Sequence, residues 1–164
     1  MGFFDKLFDK REKMEYRKAC DFIYNIALIQ KVQYTENFTD ISDDDYRTDI
    51  VGIVAAYVDS KPRESYVIGS SMGADIFRYG ESMLLAQLDG EFIPKCKKKH
   101  TIYSRFVATK MGNALNATTA RALAEEVCRI NNIAPDPNKL NAIVVDINSL
   151  VTVVDGLLTT YRIV

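Results

Sequence analysis

One histidine, three cysteines and a formal net charge of −1 in 164 residues leave this chain short of the groups that most often carry metal binding, cross-linking and polyanion attraction. Cys20, Cys96 and Cys128 are odd in number and far apart, so neither a disulfide framework nor a CxxC pair is expected. With His100 as the only histidine, no two ligands stand at chelating spacing, and zinc is disfavoured. The acidic stretch Glu36, Asp40, Asp43, Asp44, Asp45 and Asp49 lacks the glycine and glutamate spacing of a calcium loop. Walker A and GxGxxG phosphate loops are absent, which argues against common nucleotide chemistry, and no cofactor is expected. Near-zero charge removes whole-chain attraction to nucleic acid.

Long hydrophobic runs are missing too. Each is broken by Asp, Asn, Arg or Gly before the roughly 20 residues of a membrane span, and no secretory leader pattern opens the chain. Gly2 is followed by Lys6 where a myristoylation pattern wants Ser or Thr. The expectation is a soluble, cytoplasmic protein. No internal repeat or low-complexity segment occurs. The length and a 48% hydrophobic content suit one domain with a sizeable core.

What is present is helical periodicity. Leu140, Ile143, Val144, Ile147, Leu150, Val151, Val154, Leu157, Leu158 and Tyr161 recur every three or four residues. Asn141, Asn148, Thr152, Asp155 and Thr159 fill the opposite face. Asp136 is placed to cap this helix, and Pro137 to take its first position, predicting a helix from Pro137 to Arg162. Asp155-Gly156 lies between two β-branched runs and reads locally as a tight hairpin, so the alternative is an α+β fold with a C-terminal β-hairpin. The single unbroken register favours the helix.

A second start signal is more complete. Ile41 precedes Ser42, which would cap a helix beginning Asp43-Asp44-Asp45, with Tyr46 packing back on Ile41. Tyr46, Ile50, Ile53, Val54 and Tyr57 continue the face to Ser60, before Lys61-Pro62. Elsewhere the pattern predicts a helix from about Lys10 to Gln33, its charged first part an exposed arm. Another carries Met72, Ile76, Tyr79 and Met83, with a break near Gly80. A loop is expected at Lys95 to His100, then a helix through Ile102, Phe106, Met111 and Leu115, and one from Thr118 or Thr119 to Asn132. The fold expected is all-α, a compact bundle of about six helices. Residues 1–9 form an amphipathic tip and 10–164 a single helical domain.

Few motifs carry chemistry. Gly69-Ser70-Ser71-Met72-Gly73 matches GxSxG and locally resembles the nucleophile elbow of α/β-hydrolases, which would make Ser71 a nucleophile and His100 its base. The upstream segments read as helices rather than strands, and only Asp89 and Glu91 are well placed between the two as the acid. Packing of small residues is the simpler reading, and no catalytic residue is assigned. Thr119 to Val127 resembles the first helix of a helix-turn-helix, but Pro135-Asp136-Pro137 and an apolar helix occupy the place of the recognition helix.

Two surfaces remain. Lys97, Lys98 and Lys99, continued by Arg105 within the acid-free segment Lys95–Lys110, can meet an acidic partner or, less favoured, nucleic acid or anionic lipid. Phe3, Phe4, Leu7 and Phe8, with Lys6, Lys10 and Arg11, can enter a protein groove or a membrane interface. The expected function is therefore a non-enzymatic protein-interaction or adaptor domain. The opposed acidic and basic surfaces would also suit self-association into a homo-oligomer. A small serine hydrolase using Ser71 and an anion-binding protein are the alternatives.

Overall fold

The computed structural model describes residues 11–30, 32–61, 71–84, 90–110 and 117–164. Among them the chain is a helical bundle with one short parallel strand pair. Strand β1, Glu12–Met14, leads into α1, Tyr16–Ile29, and the one-turn α2, Gln33–Asn37. Then come α3, Asp43–Ser60; α4, Met72–Leu84; α5, Phe92–Lys110; α6, Ala117–Ile130; α7, Pro137–Thr160; and β2, Tyr161–Ile163. The all-α bundle is as expected.

Helix α3 is the axis of the molecule. It packs against α5, α4, α7 and α1, and every residue from Thr48 to Val58 is buried. A helix sheathed all round has no polar face to spare, so its buried polar residues must find partners inside the protein. Its start follows the sequence: Ser42 Oγ accepts the Asp45 N–H at 3.2 Å, and three aspartates lie at the positive end of the helix dipole.

Helix α7 begins as its cap and proline dictate, with Asp136 Oδ1 accepting from Asn138 N at 2.9 Å and Lys139 N at 3.1 Å. It runs through Asp155-Gly156 without a hairpin. Gly156 is exposed, and a Cβ there would meet nothing within 4 Å, so the glycine costs only its helix propensity. By length and composition α7 could cross a membrane. Here its inward stripe, Leu140, Ile143, Ile147, Leu150, Val151, Val154 and Leu157, lies in the bundle core, while Val145 and Val153 are exposed among polar neighbours. Helix α6 packs on it. α6 ends at Ile130, and just beyond it Asn132, with a φ of 54°, reverses the chain so that Ile133 N donates to Cys128 O at 3.0 Å, a left-handed turn that asparagine tolerates.

Several boundaries differ from expectation. The arm before Tyr16 is not helical: Glu12, Lys13 and Met14 pair in parallel with Tyr161, Arg162 and Ile163, and this pairing also ends α7 at Thr160 instead of Arg162. Propensity cannot register a partner from the far end of the chain. Helix α4 continues through Gly80. The segment Lys95 to His100 is helix, not loop, because α5 starts at Phe92, and lysine is a good helix former.

Candidate functional site

Placing the basic run on a helix gives it two faces. Lys95 and Lys99, one turn apart, turn toward α3, whereas Lys97, Lys98, Thr101 and Arg105 are exposed. On α3 the residues that meet this inward row are Asp45, Asp49, Gly52 and Asp59. At the solvent rim Lys95 Nζ lies 3.0 Å from Asp45 Oδ1, both half-exposed, a contact worth about 0–1 kcal/mol.

One turn deeper, Asp49 is fully buried and Lys99 Nζ lies 2.5 Å from its Oδ1. Tyr103 donates its hydroxyl to the same oxygen at 2.7 Å, and Asn131 Nδ2 donates to Oδ2 at 2.9 Å. Burial pushes the Asp49 carboxyl above the ordinary range, opposed by Lys99, Tyr103 and Asn131. Burial, reinforced by the Asp49 charge, holds the Tyr103 hydroxyl well above its usual value and raises the Cys96 thiol to about 12, which leaves Cys96 unreactive at neutral pH. Between the two carboxylates' rows, α3 presents Gly52, where a Cβ would lie 2.8 Å from Lys99 Cβ and 2.9 Å from His100 N. Only glycine lets the backbones approach this closely.

The GxSxG segment reaches the same seam from α4. Ser71 precedes the helix, and its Oγ accepts the Ala74 N–H at 3.0 Å while donating to Asp59 Oδ2 at 2.5 Å. Gly73 N donates to Asp59 Oδ1 at 2.8 Å, and His100 Nε2 lies 2.9 Å from Asp59 Oδ2. Serine, histidine and carboxylate therefore meet, but the aspartate stands in the middle. A hydrolytic triad needs histidine between the other two, so that it can take the serine proton. The acid is also Asp59 from α3; Glu91 is exposed just before α5, and Asp89 lies outside the described residues. Burial raises the Asp59 carboxyl, but hydrogen bonds from His100, Ser71 and Gly73 more than offset it, and the net direction is down. That makes Asp59 a weak base. Gly73 has its own reason to be glycine: a Cβ there would fall 2.4 Å from Ala55 O and 2.6 Å from Asp59 Oδ2.

Of the residues singled out for partner binding, Lys97, Lys98 and Arg105 are exposed on α5, and Arg105 is also engaged within the chain. Lys99 is corrected from surface residue to buried-pair partner, its side chain only 15% exposed. Phe3, Phe4, Leu7 and Phe8 lie outside the described residues. The acidic pole is engaged internally: Asp43 with Arg47 at 2.8 Å and with Thr35, Asp45 with Lys95, and Asp40 with Lys139. Among the described residues no group of three or more His, Cys, Asp or Glu could hold a metal ion.

Three carboxylates that organise the interior were not recognised from sequence as interior groups: Asp49, Asp59 and Asp146. Asp146 reaches from α7 to cap α2, accepting from Gln33 N at 2.6 Å, Tyr34 N at 3.1 Å and the Tyr46 hydroxyl at 2.9 Å. Burial pushes its carboxyl up, against those three donors. The signal available was phase: Asp49 and Asp146 fall in step with the apolar stripes of their helices. Compared with known families, curated proteins and solved structures, the chain matches none.

Proposed function

We propose that this protein is a non-catalytic interaction domain whose α5 outer face, built on Lys97 and Lys98 and flanked by Arg105, docks an acidic surface of a protein partner. The observation that carries the reading is the division of labour along α5. Lys95 and Lys99 are matched to Asp45 and Asp49 inside the fold, whereas Lys97 and Lys98 take part in none of the ion pairs among the described residues. The engaged acids leave no strong opposite pole, so a different acidic partner suits this face better than head-to-tail assembly. Ser71 serves as a helix cap in this reading, and the hydrolase alternative loses its activated nucleophile.

The test uses a fluorescent oligoglutamate peptide as an acidic protein surrogate, read by anisotropy. The expected result is binding that weakens as salt is added and falls at least tenfold in Lys97→Glu/Lys98→Glu, with an unchanged circular dichroism spectrum. Equal binding by that variant, or tighter binding of a DNA duplex than of the peptide, would overturn the assignment.

A further inference from the structure

We infer that the Asp45–Lys95 and Asp49–Lys99 pairs act as a register key, selecting one of two helix-turn alignments of α5 along α3. From α3, Asp45, Asp49 and Asp59 reach side chains of α5, and Gly52 lets the two backbones approach closely. Ridges recur with each helical turn, so backbone shape alone separates alignments one turn apart only weakly. Among the buried apolar residues of α5, Phe92 and Cys96, and likewise Tyr103 and Val107, stand one turn apart, whereas Ile93 is followed one turn on by exposed Lys97. A one-turn slide sets one member of each pair where the other stood.

The charges do not tolerate that slide toward the start of α3. Both acids and both lysines are spaced by four residues, so a displaced helix can pair only one acid with one lysine. Sliding toward Asp45 strands Asp49 in the interior without its cation, a state far costlier than loss of the exposed pair. Tyr103 and Asn131 reinforce the choice by converging on Asp49 from α5 and from the end of α6. A buried ion pair is a poor source of stability compared with apolar packing, but it is an effective penalty on the wrong alignment. The same logic gives Asp59, which holds His100 of α5 and the start of α4 together, a supporting part.

The test is a distance measurement between spin labels on Asp44→Cys of α3 and Thr101→Cys of α5, both exposed sites on otherwise intact helices. In the native background one narrow distance is expected. Replacing the key by apolar groups, Asp49→Leu/Lys99→Met/Tyr103→Phe, should keep or raise the melting temperature while splitting the distribution into two, separated by up to about 5 Å, the pitch of one turn. A single native distance in that variant would overturn the inference. Should the triple variant lose its helical spectrum, the near-isosteric Asp49→Asn/Lys99→Gln is read in the same way: two distances support the key and one overturns it.

Discussion

The seam between α6 and α7 and the seam between α3 and α5 solve one packing problem with different chemistry. The first brings together helices whose buried stripes are apolar, Ala120, Leu123, Ala124 and Val127 on one and Leu140, Ile143, Ile147 and Leu150 on the other. The second places Asp49, Lys99 and Tyr103 around a glycine, with Asp59 and His100 beyond. An apolar seam gains from every methylene it hides and tolerates swaps that conserve volume. A polar seam gains little when complete and loses heavily when one member is missing. Helix α3 is thus positioned by groups that penalise error.

The sharpest break in this comparison is Lys99→Met, which leaves Asp49 buried without its cation and should cost about 3–5 kcal/mol in urea unfolding. Leu123→Ala in the apolar seam should cost about 2–5 kcal/mol, yet, unlike Lys99→Met, with a loss independent of pH near neutrality. Gly52→Ala follows at about 1–3 kcal/mol, because its Cβ would press on the α5 backbone; Gly156→Ala, in open space, should stabilise slightly, by about 0.5–1 kcal/mol. Ser71→Ala removes the cap of α4 and should cost about 1 kcal/mol.

The smallest effect is in acid titration, where the two seam carboxylates oppose each other. Asp59 titrates below the ordinary value of 3.8 in the folded protein. Its stabilising contribution is therefore present above that value and lost as pH falls through the folded pKa. Asp49 titrates above 3.8, so its contribution is complete below that value and declines as pH rises toward the folded pKa. Urea midpoints measured from about pH 2 to 7 should show Asp59→Asn flattening the acid limb and Asp49→Asn flattening the limb just above it.

What the sequence disclosed follows the range of the interactions. The starts of α3 and α7 were readable because Ser42 and Asp136 cap through neighbours two or three residues away. The ten-position stripe of α7 outweighed the local Asp155-Gly156 hairpin signal for the same reason, since its period is internal to the helix. The β1–β2 pair was hidden because Glu12 meets Tyr161 across the whole chain. Asp49 and Asp59 were hidden because their partners, Tyr103, Asn131 and His100, arrive from other helices. GxSxG was visible, but its meaning depended on Ala55 and Asp59, which turn the motif into a cap and a close helix contact. The lysine run misled in one respect: composition cannot say which lysines of a helix face inward.

The two-faced character of α5 is tested most directly by urea unfolding of Lys98→Glu and Lys99→Glu side by side. The first should lie within about 0.5 kcal/mol of the native protein, as surface substitutions do. The second, setting a new carboxylate against buried Asp49, should abolish most of the folded state. Equal shifts for the two neighbours would contradict the assignment of one lysine to the scaffold and the other to the docking face.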